Sequence, residues 1–346
     1  MEYLSLILVV LTLVIASGLS ITIVKLLIKN ADRLGVIDHP KDRSSHSRPT
    51  PRGGGMSFLT SFMMTSMLLI SFQLINYTEF IPLLVCLPIV SLTGWFDDRS
   101  SLTARSRLFI QIICSLFSLA LITKFYTVDI QASFLPIESQ FVLRTLAILF
   151  FIWCINLYNF MDGIDGLAGS QAVFIALALA GFSFFEGEYD FMYLHLILAS
   201  SVFGFILFNW SPAKIFMGDV GSYFLGFYFA CMGVLQDVEG KIQMPTVGIL
   251  MAPLIVDATF TLFSRLLQGY KLFDTHKTFC FHKIVQSGKS HKQVSTYYLL
   301  ASIFWCLPMA ILSELNNTPI RIGLWAISYV PLIAVCFYFK AGKKTS

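Results

Sequence analysis

An all-α, polytopic integral membrane protein is the fold class that this sequence predicts, and three observations predict it. First, 56% of its 346 residues are hydrophobic and 13% are charged, with a mean hydropathy of +0.74. A soluble domain carries about 25% charged residues, so this chain has too little charge to cover a water-facing exterior. Second, its apolar residues gather into eleven runs that meet or approach the roughly 20 helical residues needed to cross a bilayer core of about 30 Å. Third, its 24 Lys and Arg residues divide unevenly between alternate connecting segments. These figures exclude a soluble enzyme, a secreted disulfide scaffold and a nucleic-acid-binding domain. The 33 Phe, 13 Tyr and 5 Trp exclude a disordered segment.

The runs occupy 3–24, 55–74, 80–96, 108–122, 141–157, 172–185, 191–208, 222–235, 245–267, 297–312 and 320–339. The first lacks a basic n-region and is longer than a signal-peptide core, so it reads as a span rather than a leader. The runs at 172–185 and 222–235 are short for a crossing. With the N-terminus outside, only Lys124, Arg144, Lys241 and Arg321 fall in outer loops, and every other Lys and Arg faces the cytoplasm. That is the expected bias of basic residues toward the inside. The outer segment Glu186-Gly187-Glu188-Tyr189-Asp190 is acidic instead. An even number of spans breaks this partition, so eleven spans with a cytoplasmic C-terminus are expected, in a single domain covering 1–346. Six of the seven cysteines lie in apolar runs, Cys280 excepted, and no C-x-x-C occurs. Neither a disulfide framework nor a zinc site is indicated.

The unusual polar sequence falls almost entirely in the inner loops, at 38–55, 97–107, 156–169, 211–222 and 269–294. In Gly94-Trp95-Phe96-Asp97-Asp98-Arg99 two adjacent carboxylates close an apolar helix, a costly arrangement near lipid unless cations offset it. Either Arg99 and Arg105 satisfy a solvated helix end, or the pair is functional. In the stretch from 156 to 169, Asn156, Asn159, Asp162 and Asp165 recur every third residue, which puts them on one side if the turn is helical. The stretch lacks the ligand order of an EF-hand loop. In Phe216-Met217-Gly218-Asp219-Val220-Gly221-Ser222, Asp219 either caps the following helix or serves as a metal ligand beside phosphate-binding N–H groups. Together these acids suggest Mg²⁺, with Mn²⁺ as a substitute, because both prefer hard oxygen ligands. Arg43, Arg52, Arg105, Arg107, Lys214, Lys277 and Lys283 supply positive charge on the same face. Carboxylates, a divalent metal and dispersed cations suit phosphate chemistry at a bilayer surface. An ion transporter would place its ionisable groups at mid-membrane. Here Asp257, eight residues before Arg265, is the main inner exception.

Five stretches together resemble the bacterial polyprenyl-phosphate N-acetylhexosamine-1-phosphate transferases, or glycosyltransferase family 4. They are Pro51-Arg52-Gly53-Gly54-Gly55, 94–99, 156–169, 209–226 and 256–265, in the family's order. The wording of 156–169 and 209–226 is most similar to members that begin O-antigen or capsule assembly. The resemblance implies transfer of a sugar 1-phosphate from a UDP-N-acetylhexosamine to undecaprenyl phosphate, with release of UMP and a requirement for Mg²⁺. It implies a multi-pass protein of the bacterial inner membrane with its active site on the cytoplasmic face. It assigns Asp97 and Asp98 to catalysis beside the lipid phosphate, Asp97 as base or nucleophile, and Asp219 with Asn159 to the metal. Asp162, Asp165, Arg52, Arg107, His276, Lys277 and His282 become substrate-binding residues. Close relatives carry a second histidine three residues after the first, whereas this chain has Phe279 there and His282 nearby. Direct displacement and a covalent aspartyl intermediate both stay open, and so does a homodimer. The alternatives are a phospho-N-acetylmuramoyl-pentapeptide transferase of cell-wall synthesis and a non-enzymatic transporter. The loop at 269–294, polar and rich in donors, is expected to read the sugar.

Overall fold

A computed structural model describes residues 2–40, 48–125, 139–270 and 277–343. The elements in chain order are α1 (Glu2–Lys29), α2 (Ala31–Leu34), β1 (Ile37–Asp38), β2 (Thr50–Pro51), α3 (Gly55–Ser71), α4 (Tyr77–Ser100), α5 (Ala104–Phe125) and α6 (Gln140–Met161). They continue with α7 (Leu167–Phe185), α8 (Tyr189–Asn209), α9 (Asp219–Val238), α10 (Met244–Leu250), α11 (Ala252–Leu267), α12 (Cys280–Gln286) and α13 (His291–Ala301). A π-helical turn (Ser302–Cys306) joins α13 to α14 (Leu307–Glu314), and α15 (Thr318–Tyr338) follows. The strands pair antiparallel, Ile37 opposite Pro51 and Asp38 opposite Thr50.

Each of the eleven apolar runs is helical, and the chain is an all-α multi-pass membrane protein. Among the described residues eight helices are long and apolar enough to cross a membrane, and nine if α10 and α11, bent by 81° at their junction, count as one span. Two runs fail that test for different reasons. The run at 55–74 yields the 17-residue α3, which is apolar but short. The run at 222–235 yields α9, which is long enough but not apolar enough, and nearly its whole length is buried inside protein. Its composition therefore answers to helix packing rather than to lipid.

The core is apolar, as in a soluble protein, but the outer surface is apolar too. Phe109, Phe117, Phe141 and Phe337 are exposed on the outer surface, while Ser20, Ser57, Ser61 and Ser201 are buried between helices. These serines bond across α1, α3 and α8: Ser20 to Ser57 at 3.2 Å, and Ser61 to Ser201 at 3.1 Å. Small polar residues at such seams let backbones approach and satisfy one another where no water can. Glycines do the same around α9. A Cβ at Gly94 would strike the backbone of Asp219, one at Gly226 the backbone of Cys154, and one at Gly55 the backbone of Gly221. These contacts clamp α3, α4 and α6 onto α9 and bring the ends of α4 and α6 to its first turn.

Candidate active site

The site is assembled at the start of α9. The segment 51–55 runs beside 216–217, with Phe216 N–H donating to Pro51 O at 2.8 Å, Gly54 N–H to Phe216 O at 2.9 Å and Gly55 N–H to Met217 O at 2.9 Å. This seam sets Arg52 and Asp219 on the same end of the bundle. Gly218, at φ +75°, turns the chain into α9, and a Cβ there would lie 2.5 Å from Asp98 Oδ2. The glycine is therefore what lets Asp98 reach the first turn of α9.

The adjacent acids of α4 diverge. Asp97 Oδ2 accepts from Arg107 Nη1 at 2.7 Å and from Tyr223 OH at 3.4 Å, and Asp97 Oδ1 accepts from Leu102 N–H at 2.6 Å. Asp98 lies 3.7 Å from Arg52 Nη1 and accepts from Val220 N–H at 3.4 Å. The cations that face the pair are thus Arg107 and Arg52, not the Arg99 and Arg105 of the solvated-end reading. Asp97 and Asp98 are both buried.

Asp219 is the first residue of α9, whose cap position is Gly218 with no side-chain cap bond. The capping reading is corrected: the Asp219 carboxylate points across to α6, where Asn159 Nδ2 donates to Oδ1 at 2.7 Å. Asn159 also donates to Ser222 Oγ at 3.2 Å. The carboxyl of Asp97 comes within hydrogen-bond reach of Asp219 from the other side.

The spacing of 156–165 does not produce one polar stripe. Helix α6 ends at Met161 and α7 starts at Leu167, so Asp162 and Asp165 lie in the intervening turn. Asn156 faces α5, donating to Gln111 Oε1 at 2.9 Å. Asp162 belongs to the carboxylate cluster: burial, then the charges of Asp219 and Asp98, push its carboxyl well above the usual range. Asp165 faces the opposite way. Burial opposes its charge, but His291, 3.4 Å away, the N–H of Ala213 at 3.2 Å and Ser211 outweigh that and hold it below the usual range. Asn209 fixes this turn by accepting from Gly166 N–H at 3.0 Å and donating to Ile215 O at 2.9 Å.

His276 lies outside the described residues. Lys277 is half-buried, and its carbonyl accepts from Gln286 Nε2 at 3.0 Å. His282 packs on Phe281, ring centres 4.1 Å apart, and a Cβ at Gly163 would lie 3.3 Å from His282 Cε1. The basic segment therefore covers the turn that carries Asp162. The expected inner charge, Asp257, anchors it from below, accepting from Cys280 N–H at 2.6 Å, Phe281 N–H at 3.1 Å and Tyr298 OH at 2.6 Å. Sequence reading misses Tyr223 and His291 as partners of the acids, and Asn209 as the residue that fixes the turn carrying Asp165. A tyrosine four residues after Asp219 is the one signal that could have been used, since it shares that helix face.

The arrangement brings Asp97, Asp98, Asp162 and Asp219 together against Arg52 and Arg107. Among the described residues no three His, Cys, Asp or Glu side chains close into a metal site by themselves. Chemically, the site offers oxygen donors in excess of local cations, with two guanidinium groups at its rim.

The glycosyl transferase family 4 model matches residues 80–237, a region holding all four of these carboxylates. A probable undecaprenyl-phosphate N-acetylglucosaminyl 1-phosphate transferase of Bacillus subtilis is 27% identical, over 84% of this chain and 81% of its own. An undecaprenyl-phosphate alpha-N-acetylglucosaminyl 1-phosphate transferase of Yersinia pestis is 25% identical, over 90% and 85%. A phospho-N-acetylmuramoyl-pentapeptide-transferase of Staphylococcus aureus is 28% identical, over 80% and 84%. The site motifs thus lie inside the matched region, and relatives of this kind are similar to the chain along most of its length.

Proposed function

We propose that the protein transfers an N-acetylhexosamine 1-phosphate from a UDP-sugar to undecaprenyl phosphate, as an initiating step of a lipid-linked surface glycan. The observation that carries this reading is the convergence of Asp97, Asp98, Asp162 and Asp219 on one bundle end beside Arg52 and Arg107. An oxygen of the lipid phosphate attacks the β-phosphorus of the donor, the bond from that phosphorus to the bridging oxygen breaks, and UMP leaves. Two anions must meet, so the demand on the protein is for positive charge and fixed orientation. Arg107, held by Asp97, and Arg52, beside Asp98, meet the charge. Asp97 receives a proton from the acceptor phosphate where that group is not already a dianion; its second pKa near ~6 makes the task light. Asp162, Asp165, Lys277, His282 and His276 contact the donor.

Mg²⁺ fits the donor set, with Asp219 as its principal ligand and Asn159 in support. Burial first, and then the charges of Asp219 and Asp98, raise the Asp162 carboxyl, and a cation among these acids would offset both. Mg²⁺ is commonly held by one or two carboxylates and by substrate phosphates rather than by a closed protein cage. When bound, it neutralises charge on the donor diphosphate. The orientation that suits these roles has eleven crossings, the N-terminus outside, and the site on the cytoplasmic face of the bacterial inner membrane.

The test is an assay on membranes containing the protein, supplied with undecaprenyl phosphate, Mg²⁺ and a panel of UDP-sugars, with UMP measured. Release of UMP with a UDP-N-acetylhexosamine supports the reading. Release with the muramoyl-pentapeptide donor alone assigns the protein to cell-wall synthesis, and release with none removes the transferase reading.

A further inference from the structure

The turn that follows α15 is packed into the site's supporting layer, although it supplies none of the site's carboxylates. Helix α15 ends at Tyr338, Lys340 beyond it has φ +55°, and Ala341 N–H then reaches back to Cys336 O at 2.9 Å. A left-handed lysine is unfavourable on its own, so surrounding contacts must over-determine it. Those contacts are present. Ala341 is buried. Gly342 N–H donates to Thr278 O at 2.8 Å, and Gln268 Nε2 donates to Gly342 O at 3.3 Å. Gly342 has φ +82°, and a Cβ there would lie 2.7 Å from Ser264 Oγ and 2.9 Å from Thr261 O on α11. No other residue fits that position without lifting the turn off α11.

Thr278 opens the segment whose next N–H groups, at Cys280 and Phe281, are taken by Asp257. Phe281 and His282 then rest on Gly163, next to Asp162, and Phe279 stacks on Phe160, next to Asn159, with ring centres 5.8 Å apart. One line of contacts therefore runs from the terminal turn to the turn that carries the donor-side acid. We infer that the turn at 339–343, through Gly342, is a positioning element that sets where 277–283 sits over the 162–166 turn, and thereby tunes affinity for the sugar nucleotide. The inference rests on the transferase reading for its ligand, but not for its structural part.

The test uses the full chain in detergent or nanodiscs and two variants, Gly342→Val and Gln268→Ala. Gln268→Ala removes one contact to the turn without straining its backbone. Amide hydrogen exchange at 278–281 is expected to rise about tenfold in Gly342→Val and less in Gln268→Ala. The KM for the UDP-sugar is expected to rise several-fold in the same order, with kcat within about twofold. Unchanged exchange in Gly342→Val overturns the anchor, and unchanged KM with raised exchange overturns its link to the donor. A fall in kcat equal to the rise in KM also overturns it, because general damage to the fold would do that. If the unsubstituted protein transfers no sugar phosphate, the transferase reading fails while the exchange comparison still decides the anchor.

Discussion

Helix α9 carries a buried polar cluster near each end, and the two are resolved in opposite ways. Toward its far end, Tyr228 OH lies 2.9 Å from His195 Nδ1, His195 Nε2 lies 3.2 Å from Gln236 Oε1, and Gln236 Nε2 donates to Ser183 Oγ at 3.0 Å. The directions are forced. Gln236 spends its amide on Ser183, so its oxygen must accept from Nε2–H, which leaves Nδ1 to accept from Tyr228. The chain closes with neutral groups, as a buried network that only holds helices together should. At the near end Asp219 meets Asn159 on one side and further carboxyls on the other. Excess like charge there is left unresolved by the two arginines. A fold does not need such a cluster, and removing it would relieve repulsion. Under the proposed function, this is the end of the helix at which a charged ligand is handled.

The largest test of this contrast is Asp219→Asn. Turnover is expected to fall about 10³-fold or more, with the melting temperature in detergent unchanged or raised, because a crowding charge is gone. Near-normal turnover at low Mg²⁺ would show that the near cluster is also only structural. Next in size is Asp97→Asn, for which a loss of about 10²–10⁴-fold in rate is expected with UDP-sugar binding retained, since a base acts on the acceptor. Binding that weakens in parallel with turnover would move Asp97 to the donor side.

The far cluster gives the reverse expectation. Gln236→Leu takes away the partner of His195 Nε2 and that of Ser183 Oγ and should cost about 1–3 kcal/mol of stability, seen as a lower melting temperature, with kcat and KM preserved in the protein that remains folded. Lost activity with intact stability would break the contrast from the other direction.

The smallest effect concerns Asp165, which sits between the two situations as a charge with partners. Its carboxyl is held below the usual range, so its stabilisation is fully present above pH ~4, the ordinary carboxylate value, and is lost as pH falls through its lower native value. Asp165→Asn should therefore be less stable than the unsubstituted protein at pH 5, and the margin should close below pH ~4. Melting curves down to pH ~3 measure it, and a margin that persists there would contradict the assignment.

Much of the site is legible in the chain because the chemistry is local. Asp97, Asp98, Asn159 and Asp219 stand beside glycines and apolar runs in patterns that a lipid-facing helix has no use for. Their partners are not legible. The i, i+3 spacing of Asp162 and Asp165 suggests a shared face, but the chain leaves α6 at Met161, and one acid turns to Asp219 while the other turns to His291. That choice depends on where α9 and α13 pack, which spacing along α6 does not encode.

What the sequence determined by itself is the helical, membrane-spanning class and the end of the bundle at which polar chemistry gathers. Hydrophobicity and charge act residue by residue, and a bilayer reads them directly. Only the tertiary structure decided that α9 is buried all round, that Arg107 and Arg52 rather than Arg99 and Arg105 face the paired acids, and that Asp257 and the turn at 339–343 hold the basic segment over the site. Each of those depends on close contacts, some glycine-sized and some hydrogen-bonded, between elements distant in the chain. Such contacts arise from the shape of two surfaces together, which neither stretch of sequence specifies alone.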